Sequence, residues 1–391
     1  MPSIEKENRG LRLCGCDSRG VLMVSASYGT GHDRIAKAVG ERLAELGIET
    51  KFSQVYGYAP RLVKRKSKIH RFVHRRIPAV YHYFWSGEAD RVRTCMPRRM
   101  YRSFRKPATY LEKVVKDFQP AAIFCTHLYG GAAIARLRKE GRISPRIRVY
   151  SILTEFCVYP NWEANNTLDG VFLPCEDLIP AFLERGYRSE QLIVCGLPVR
   201  PRFASIGDRE HARAALGLEN RFTLLCLSGG ECLSGNLDPI RTLSRAGCFP
   251  QIVAICGTNK KEYRRIAAYV RKNRLSNVRI YGFVENIDVM IDAADVVLSR
   301  GGFGTLSELL VKGAGILLRE KLIVQEKRNA EYLCSKGAAV ALSSLADLPD
   351  VLRGIEENGT ALSEQKERAL RLSDSNGIDN ICHILLREQR Q

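Results

Sequence analysis

No stretch of this chain offers 18 or more uncharged apolar residues, so no membrane-spanning helix is expected. The first residues, MPSIEKENRGLRLCGCDSRG, lack the apolar core of a secretory signal, and a cleaved leader is not expected either. Paired cysteines are missing as well. The 13 cysteines are an odd number, scattered singly in apolar runs such as AAIFCTH and TLLCLSGG. That pattern excludes a disulfide framework and reads as reduced, buried thiols in a cytosol. Cys14 and Cys16 form a C-x-C with no matching second pair, which argues against zinc. The glycine turn of SASYGTGHDRIAKAV, residues 25–39, follows an apolar run and opens a helix, yet it carries no Lys-Ser/Thr. A phosphate loop holding a triphosphate and its metal is thereby excluded. In that place the turn ends in His32.

What is present points to a large basic globular protein. A chain of 391 residues is too long for one ordinary core and suggests two domains, 1–200 and 201–391, the second ending in a helical tail. Hydrophobic residues at 45% and charged residues at 26% are ordinary globular values. The net charge of +19 is concentrated: between Arg61 and Lys116 stand seventeen Lys and Arg against Glu88, Asp90 and Glu112. Aromatic and apolar residues interleave with these charges, as in RFVHRRIPAVYHYFW. Such density favours an anionic partner. No recognisable nucleic-acid module accompanies it, so the expected partner is an anionic membrane surface and not a nucleic acid.

Short apolar runs alternate with helical patterns along the chain. Strands are predicted over 20–26, 51–56, 121–127, 148–155, 170–175 and 191–195. A second series covers 222–228, 251–256, 278–283, 296–299, 315–318 and 338–341. Between the first two strands, Ile35, Val39, Leu43 and Leu46 form one apolar stripe on a predicted helix over 33–46. Alternation of this kind predicts two parallel α/β sheets with helices on both faces. The break falls at GLPVRPRF, 196–203, where two prolines and a glycine interrupt the pattern. Two doubly wound domains place their strand ends, and their ligand sites, at a common cleft.

The most informative loop is ADVVLSRGGFGTLSELLVKG, 294–313. A buried strand ends in Ser299-Arg300, turns on glycines and opens a helix near Thr305. Free N–H groups and the helix dipole there suit a diphosphate. Glu308, one turn further, could accept two hydrogen bonds from a ribose diol. Thr305 and Glu308 also have the spacing of a capping box, which needs no ligand, so both readings stay open.

SRGGFGTLSE followed by VQEKRNAEYLCSKGAA resembles the C-terminal half of a glycosyltransferase family. It includes the monogalactosyldiacylglycerol synthases, the processive diacylglycerol glucosyltransferases and the lipid I N-acetylglucosaminyltransferase. SASYGTGHDRIAKAV, THLYGGAAI, TEFCVYPNWEANNTLDGVFLPCE, CGLPVRPRF and YGFVENIDVMIDAADVVLSRGG resemble the diacylglycerol branch, in the right order over about residues 20 to 345. The resemblance implies the GT-B fold, two Rossmann-like domains facing a cleft, with a UDP-sugar in the second. Phe283 and Val284 match the segment that holds uracil. Gly302 and Thr305 match the diphosphate turn, Glu308 the ribose carboxylate and Gln325 the residue contacting the sugar hydroxyls. Gly229 and Gly230 match the glycine turn on the phosphate side. His32, after Gly31, matches the proposed general base on the acceptor hydroxyl, and Glu155 stands where the branch carries an aspartate.

The pattern departs from the branch in three places. Its usual histidine is Tyr159, the Pro-Gly before Gln-Glu is Ile323-Val324, and Gly301 and Phe303 alter the Pro-Gly-Gly turn. The resulting expectation is an inverting glycosyltransferase needing no metal or cofactor. It would move a hexose from a UDP-sugar to a lipid hydroxyl, that of diacylglycerol, on the cytoplasmic face of a membrane. A polyprenyl-linked or non-lipid acceptor, a sugar-nucleotide epimerase and a nucleotide-sugar-binding regulator without turnover are the alternatives. The seven histidines leave the epimerase few candidates.

Overall fold

The computed structural model describes residues 20–26, 30–59, 104–159, 161–230, 232, 235–248, 250–320, 322 and 324–387. Each predicted apolar run becomes a strand. The first sheet contains β1 (Val21–Ser25), β2 (Thr50–Gln54), β3 (Ala122–Cys125), β4 (Arg148–Ile152), β5 (Gly170–Leu173) and β6 (Leu192–Val194). The second contains β7 (Thr223–Leu227), β8 (Gln251–Ile255), β9 (Val278–Tyr281), β10 (Val296–Ser299), β11 (Gly315–Leu318) and β12 (Val340–Ala341). Central strands such as β1, β3, β7 and β10 are buried along their whole length. Helices cover both faces of a parallel sheet, so its strands read as continuous apolar runs and not as alternating ones.

The spatial orders are β2-β1-β3-β4-β5-β6 and β12-β11-β10-β7-β8-β9, all neighbours being parallel. The direction of winding reverses between β1 and β3 in the first sheet and between β7 and β10 in the second. At such reversals the loops leaving adjacent strands diverge and open a crevice at the C-terminal edge. His32 lies in the first turn of the helix that follows β1, and Thr126 lies in the loop after β3. The loops after β7 and β10 carry Gly229-Gly230 and Gly301-Gly302. The second crevice therefore holds two of the glycine turns of the sequence.

The first helix, Thr30–Glu45, packs Ile35, Val39 and Leu43 against Val21 and Met23. Leu46 leaves that stripe and is 38% exposed. The chain turns left-handed at Gly47, with φ of 79°, and Ile48 N–H bonds back to the Leu43 carbonyl. Ile48 is thereby tucked under the helix in the place expected for Leu46.

The two halves are joined by two crossings that run side by side. The Leu197 N–H donates to the Asp374 carbonyl at 2.7 Å, and Asn380 donates to the Cys195 carbonyl at 2.9 Å. The helical tail divides between the halves. Helix Gly359–Arg371 grips the second sheet, where the Gln365 side chain bonds both N–H and C=O of Ile316. Helix Gly377–Arg387 returns to the first sheet and buries Ile378, Ile381, Cys382 and Leu385 with Val39 and Leu43. The ten described cysteines are all free, Cys125, Cys195 and Cys226 among the buried ones. No helix among the described residues is long and apolar enough to cross a membrane.

Candidate active site

His32 sits in the first turn of the helix that leaves β1. Its Nδ1 lies 2.6 Å from the Thr126 carbonyl, at the end of β3. A carbonyl only accepts, so Nδ1 carries the proton and Nε2 keeps the lone pair. Burial lowers the His32 pKa below the ordinary histidine value, against the Thr126 carbonyl and the Asp33 carboxylate, which raise it. The ring is therefore neutral at pH 7, the form that accepts a proton. Asp33 ties this turn to the strand ends, accepting from Ser25 Oγ at 2.5 Å and Gln54 Nε2 at 3.0 Å. A second imidazole, His127, stands edge-on to His32 with ring centroids 4.6 Å apart. Its Nδ1 accepts from the Tyr129 N–H at 3.0 Å, and burial, then the nearby His32, holds its pKa well down.

Thr154, past the end of β4, brings its Oγ1 to 3.4 Å from His32 Nδ1. Glu155 and Phe156 then cross toward the second half. The Glu155 carboxylate accepts from Asn329 Nδ2 at 2.5 Å, and the Phe156 ring lies 5.0 Å from Phe303 and stacks on Tyr332 at 5.2 Å. Burial raises the Glu155 pKa to about 8, Asn329 opposes the shift, and nearby Glu326 adds to it. Glu326 is itself paired with Arg300 at 2.8 Å. Glu155 is thus mostly protonated at neutral pH.

On the second sheet the turn after β10 departs from the sequence expectation. The helix spans Phe303–Val311 with Gly302 as its N-cap, three residues earlier than Thr305. Thr305 and Glu308 are inside the helix, so the capping-box reading is overturned. The cause is Gly302 itself, whose extended backbone ends the strand-side turn and starts the helix at once. Glu308 instead faces the crossing segment and pairs with Arg200 at 3.4 Å. Burial raises its pKa, while Arg200 and Arg34, the latter from the His32 helix, pull it down. Charges from both halves meet there.

The remaining sequence candidates line the same edge. Gly229 adopts φ of 71°, a left-handed conformation suited to glycine, and the Gly230 carbonyl accepts from Thr258 N at 3.0 Å. A Cβ placed on Gly31, Gly229 or Gly302 would meet no atom of the described residues within 4 Å. Phe283 presents its ring to solvent at 60% exposure, an uncommon position for a phenylalanine, while Val284 packs on the core. Gln325 lies at the start of helix Val324–Ser335, and its buried Oε1 has no hydrogen-bond partner among the described residues. Tyr159 is packed against Trp162, ring centroids 6.0 Å apart, and burial pushes its pKa up, so it holds its proton. Ile323 lies outside the described residues, as do Arg98, Arg99, Arg102 and most of the basic stretch 61–116.

Sequence reasoning missed Thr126, Arg200 and Asn329. Each of the three has a partner more than ninety residues away. Thr126 and Arg200 stood inside quoted motifs, THLYGGAAI and CGLPVRPRF. Asn329 stood in VQEKRNAEYL, with no local spacing to single it out.

Comparison with known proteins agrees with the two-sheet fold. Residues 32–199 match the monogalactosyldiacylglycerol (MGDG) synthase family, and residues 236–381 match the glycosyltransferase family 28 C-terminal domain. A processive diacylglycerol beta-glucosyltransferase from Bacillus subtilis is 23% identical over 374 residues, covering 94% of this chain and 95% of its own. Among solved structures, MurG of Acinetobacter baumannii superposes with a TM-score of 0.63 at 16% identity, covering 94% of this chain and 99% of its own. Anabaena Alr3699/HepE in complex with UDP superposes with a TM-score of 0.56 at 12% identity, with coverages of 94% and 99%. These structural likenesses carry the GT-B fold. This chain is a glycosyltransferase whose first half matches the monogalactosyldiacylglycerol synthase family and whose second half matches the glycosyltransferase family 28 C-terminal domain.

Proposed function

We propose that this enzyme transfers a hexose from a UDP-sugar to the free hydroxyl of diacylglycerol, with inversion at the anomeric carbon. The observation that carries the reading is the fixed tautomer of His32. With Nδ1 committed to the Thr126 carbonyl, Nε2 can take the proton of the acceptor hydroxyl as its oxygen attacks the anomeric carbon. The bond from that carbon to the diphosphate oxygen breaks on the opposite face, and UDP leaves with the electron pair. The N–H groups opening helix Phe303–Val311, and its dipole, would stabilise the developing charge. A protonated Glu155 leaves the neighbouring turn free of a competing negative charge. Glu308 would exchange Arg200 for the ribose diol, Phe283 and Val284 would border the uracil, and Gln325 Oε1 would accept from a sugar hydroxyl. No step needs a metal or a cofactor.

The acceptor assignment draws on the activity named for the Bacillus relatives. The basic stretch 61–116 would hold the first half on anionic lipid, on the cytoplasmic face of a membrane, where polybasic contacts contribute about 1 kcal/mol per residue. The test is incubation of the full chain with radiolabelled UDP-glucose, UDP-galactose and UDP-N-acetylglucosamine and vesicles containing diacylglycerol. The expected product is a labelled glycolipid. Transfer only to a polyprenyl phosphate acceptor, or UDP-sugar binding without any product, would refute the diacylglycerol reading.

A further inference from the structure

Asn329 is fully buried on helix Val324–Ser335, and its carboxamide makes three hydrogen bonds. Oδ1 accepts from the Phe156 N–H at 2.8 Å. Nδ2 donates to Glu155 Oε2 at 2.5 Å and to the Gly301 carbonyl at 2.8 Å. Two of these partners belong to the segment that follows β4 of the first sheet, and the third belongs to the turn after β10 of the second. One side chain thus pins both walls of the cleft.

Each end of this contact continues into the site. Thr154 precedes Glu155 directly and reaches His32 Nδ1 at 3.4 Å. Gly301 precedes Gly302, the N-cap of helix Phe303–Val311. Gly301 is also pressed against the same helix as Asn329, because a Cβ there would overlap the Glu326 carbonyl. The turn and Asn329 are therefore held against one another, with the Phe156 ring wedged between Phe303 and Tyr332.

We propose that Asn329 is a positioning residue that couples the turn at Gly301-Gly302 to His32, through Glu155 and Thr154. The inference rests on the reading of that turn as the diphosphate site. Donor binding at the turn sets the place of Asn329, and Asn329 sets the crossing segment that lies against the base. Only a carboxamide meets the demand at this point, since two donors must face oxygen acceptors while one oxygen accepts a backbone N–H. An aspartate would present oxygens alone, leaving the Gly301 carbonyl without its donor and meeting Glu155 only through that residue's own proton.

The experiment uses the full chain and three variants: Asn329→Asp, Glu155→Gln and the double variant. Transfer is measured with UDP-glucose and diacylglycerol in phosphatidylglycerol vesicles, and UDP binding by calorimetry. Asn329→Asp should lower kcat by about a hundredfold, the scale of a displacement near 1 Å, with little change in UDP affinity. In the double variant the introduced carboxamide can donate to the introduced carboxylate, the reverse of the native polarity. At least about tenfold of the loss should then return as the pair's interaction is restored. Hydrogen exchange supplies the readout that a merely structural amide would not move. UDP should protect the amides of residues 154–157 in the wild type and leave them unprotected in Asn329→Asp. Equal protection in both proteins, or a double variant no better than Asn329→Asp, would overturn the proposal. If Asn329→Asp does not fold, Asn329→Ser, which keeps a hydroxyl but cannot span the three partners, replaces it in the exchange comparison. A wild type that neither binds UDP nor transfers hexose would refute the donor reading instead. The coupling would then be judged by thermal unfolding, where additive losses in the two single variants overturn it and non-additive losses support it.

Discussion

Replacing Glu155 by glutamine isolates one buried proton, and its effect can be worked from the structure. The folded chain holds this carboxyl near 8 against an ordinary 4.5, chiefly by burial. A raised pKa means that the folded state binds the proton more tightly than the unfolded chain does. The associated stability is complete below pH 4.5 and is lost as pH rises toward 8. At about 1.4 kcal/mol per pH unit the loss reaches an upper bound near 5 kcal/mol. Partial access to solvent reduces this to about 2–3 kcal/mol. Glutamine keeps the shape and the oxygen that accepts from Asn329 but has no proton to lose. Urea titrations of both proteins at pH 5, 6.5 and 8.5 should therefore show a widening gap, with the glutamine form gaining at each step. Above pH 8.5 the gap should level off, since Glu155 is ionised in both states. Parallel stability curves would refute the argument, because they would mean that Glu155 ionises as freely in the folded chain as in the unfolded one.

His32→Ala should leave UDP affinity nearly intact in calorimetry while lowering turnover by about a hundredfold or more, the usual loss on removing a general base. Equal losses of binding and of stability would make His32 a structural residue. Glu308→Ala should weaken UDP binding by about 1–3 kcal/mol if two ribose hydroxyls lose their acceptor, with little change in helix stability, because the N-cap is Gly302. Unchanged affinity in the same calorimetry would remove Glu308 from the donor site. Changing Arg98, Arg99 and Arg102 to Gln should cut sedimentation with anionic liposomes by about 3 kcal/mol of binding at most, more visibly at low salt, and leave UDP affinity alone. Undiminished liposome binding with lost RNA binding would reverse the choice of partner.

The sheets were legible from sequence because a parallel strand covered on both faces must be apolar throughout. VLMVS of β1 and TLLCL of β7 have no other reason to be so. The glycine turns were legible because each follows such a strand directly, and the strand order then places them at the winding reversals. His32 could be named from its turn, but its tautomer could not, since that depends on the carbonyl of Thr126 from a strand 94 residues on. The start of helix Phe303–Val311 was misplaced because T-x-x-E spacing is a local signal, whereas the helix begins where β10 releases the chain. Leu46 and Ile48 exchanged roles for a similar reason, a left-handed glycine between them re-aiming the chain after the helix had ended. The last helix shows the limit most plainly. Its apolar face of Ile378, Ile381 and Leu385 announced only that something must cover it. The first sheet, at the far end of the chain, became its partner because the two crossings at Leu197 and Asp374 run together and deliver the helix there. Local chemistry fixed what each segment could bury and bind, and long-range contact alone decided which carboxylate, amide and imidazole would share one cleft.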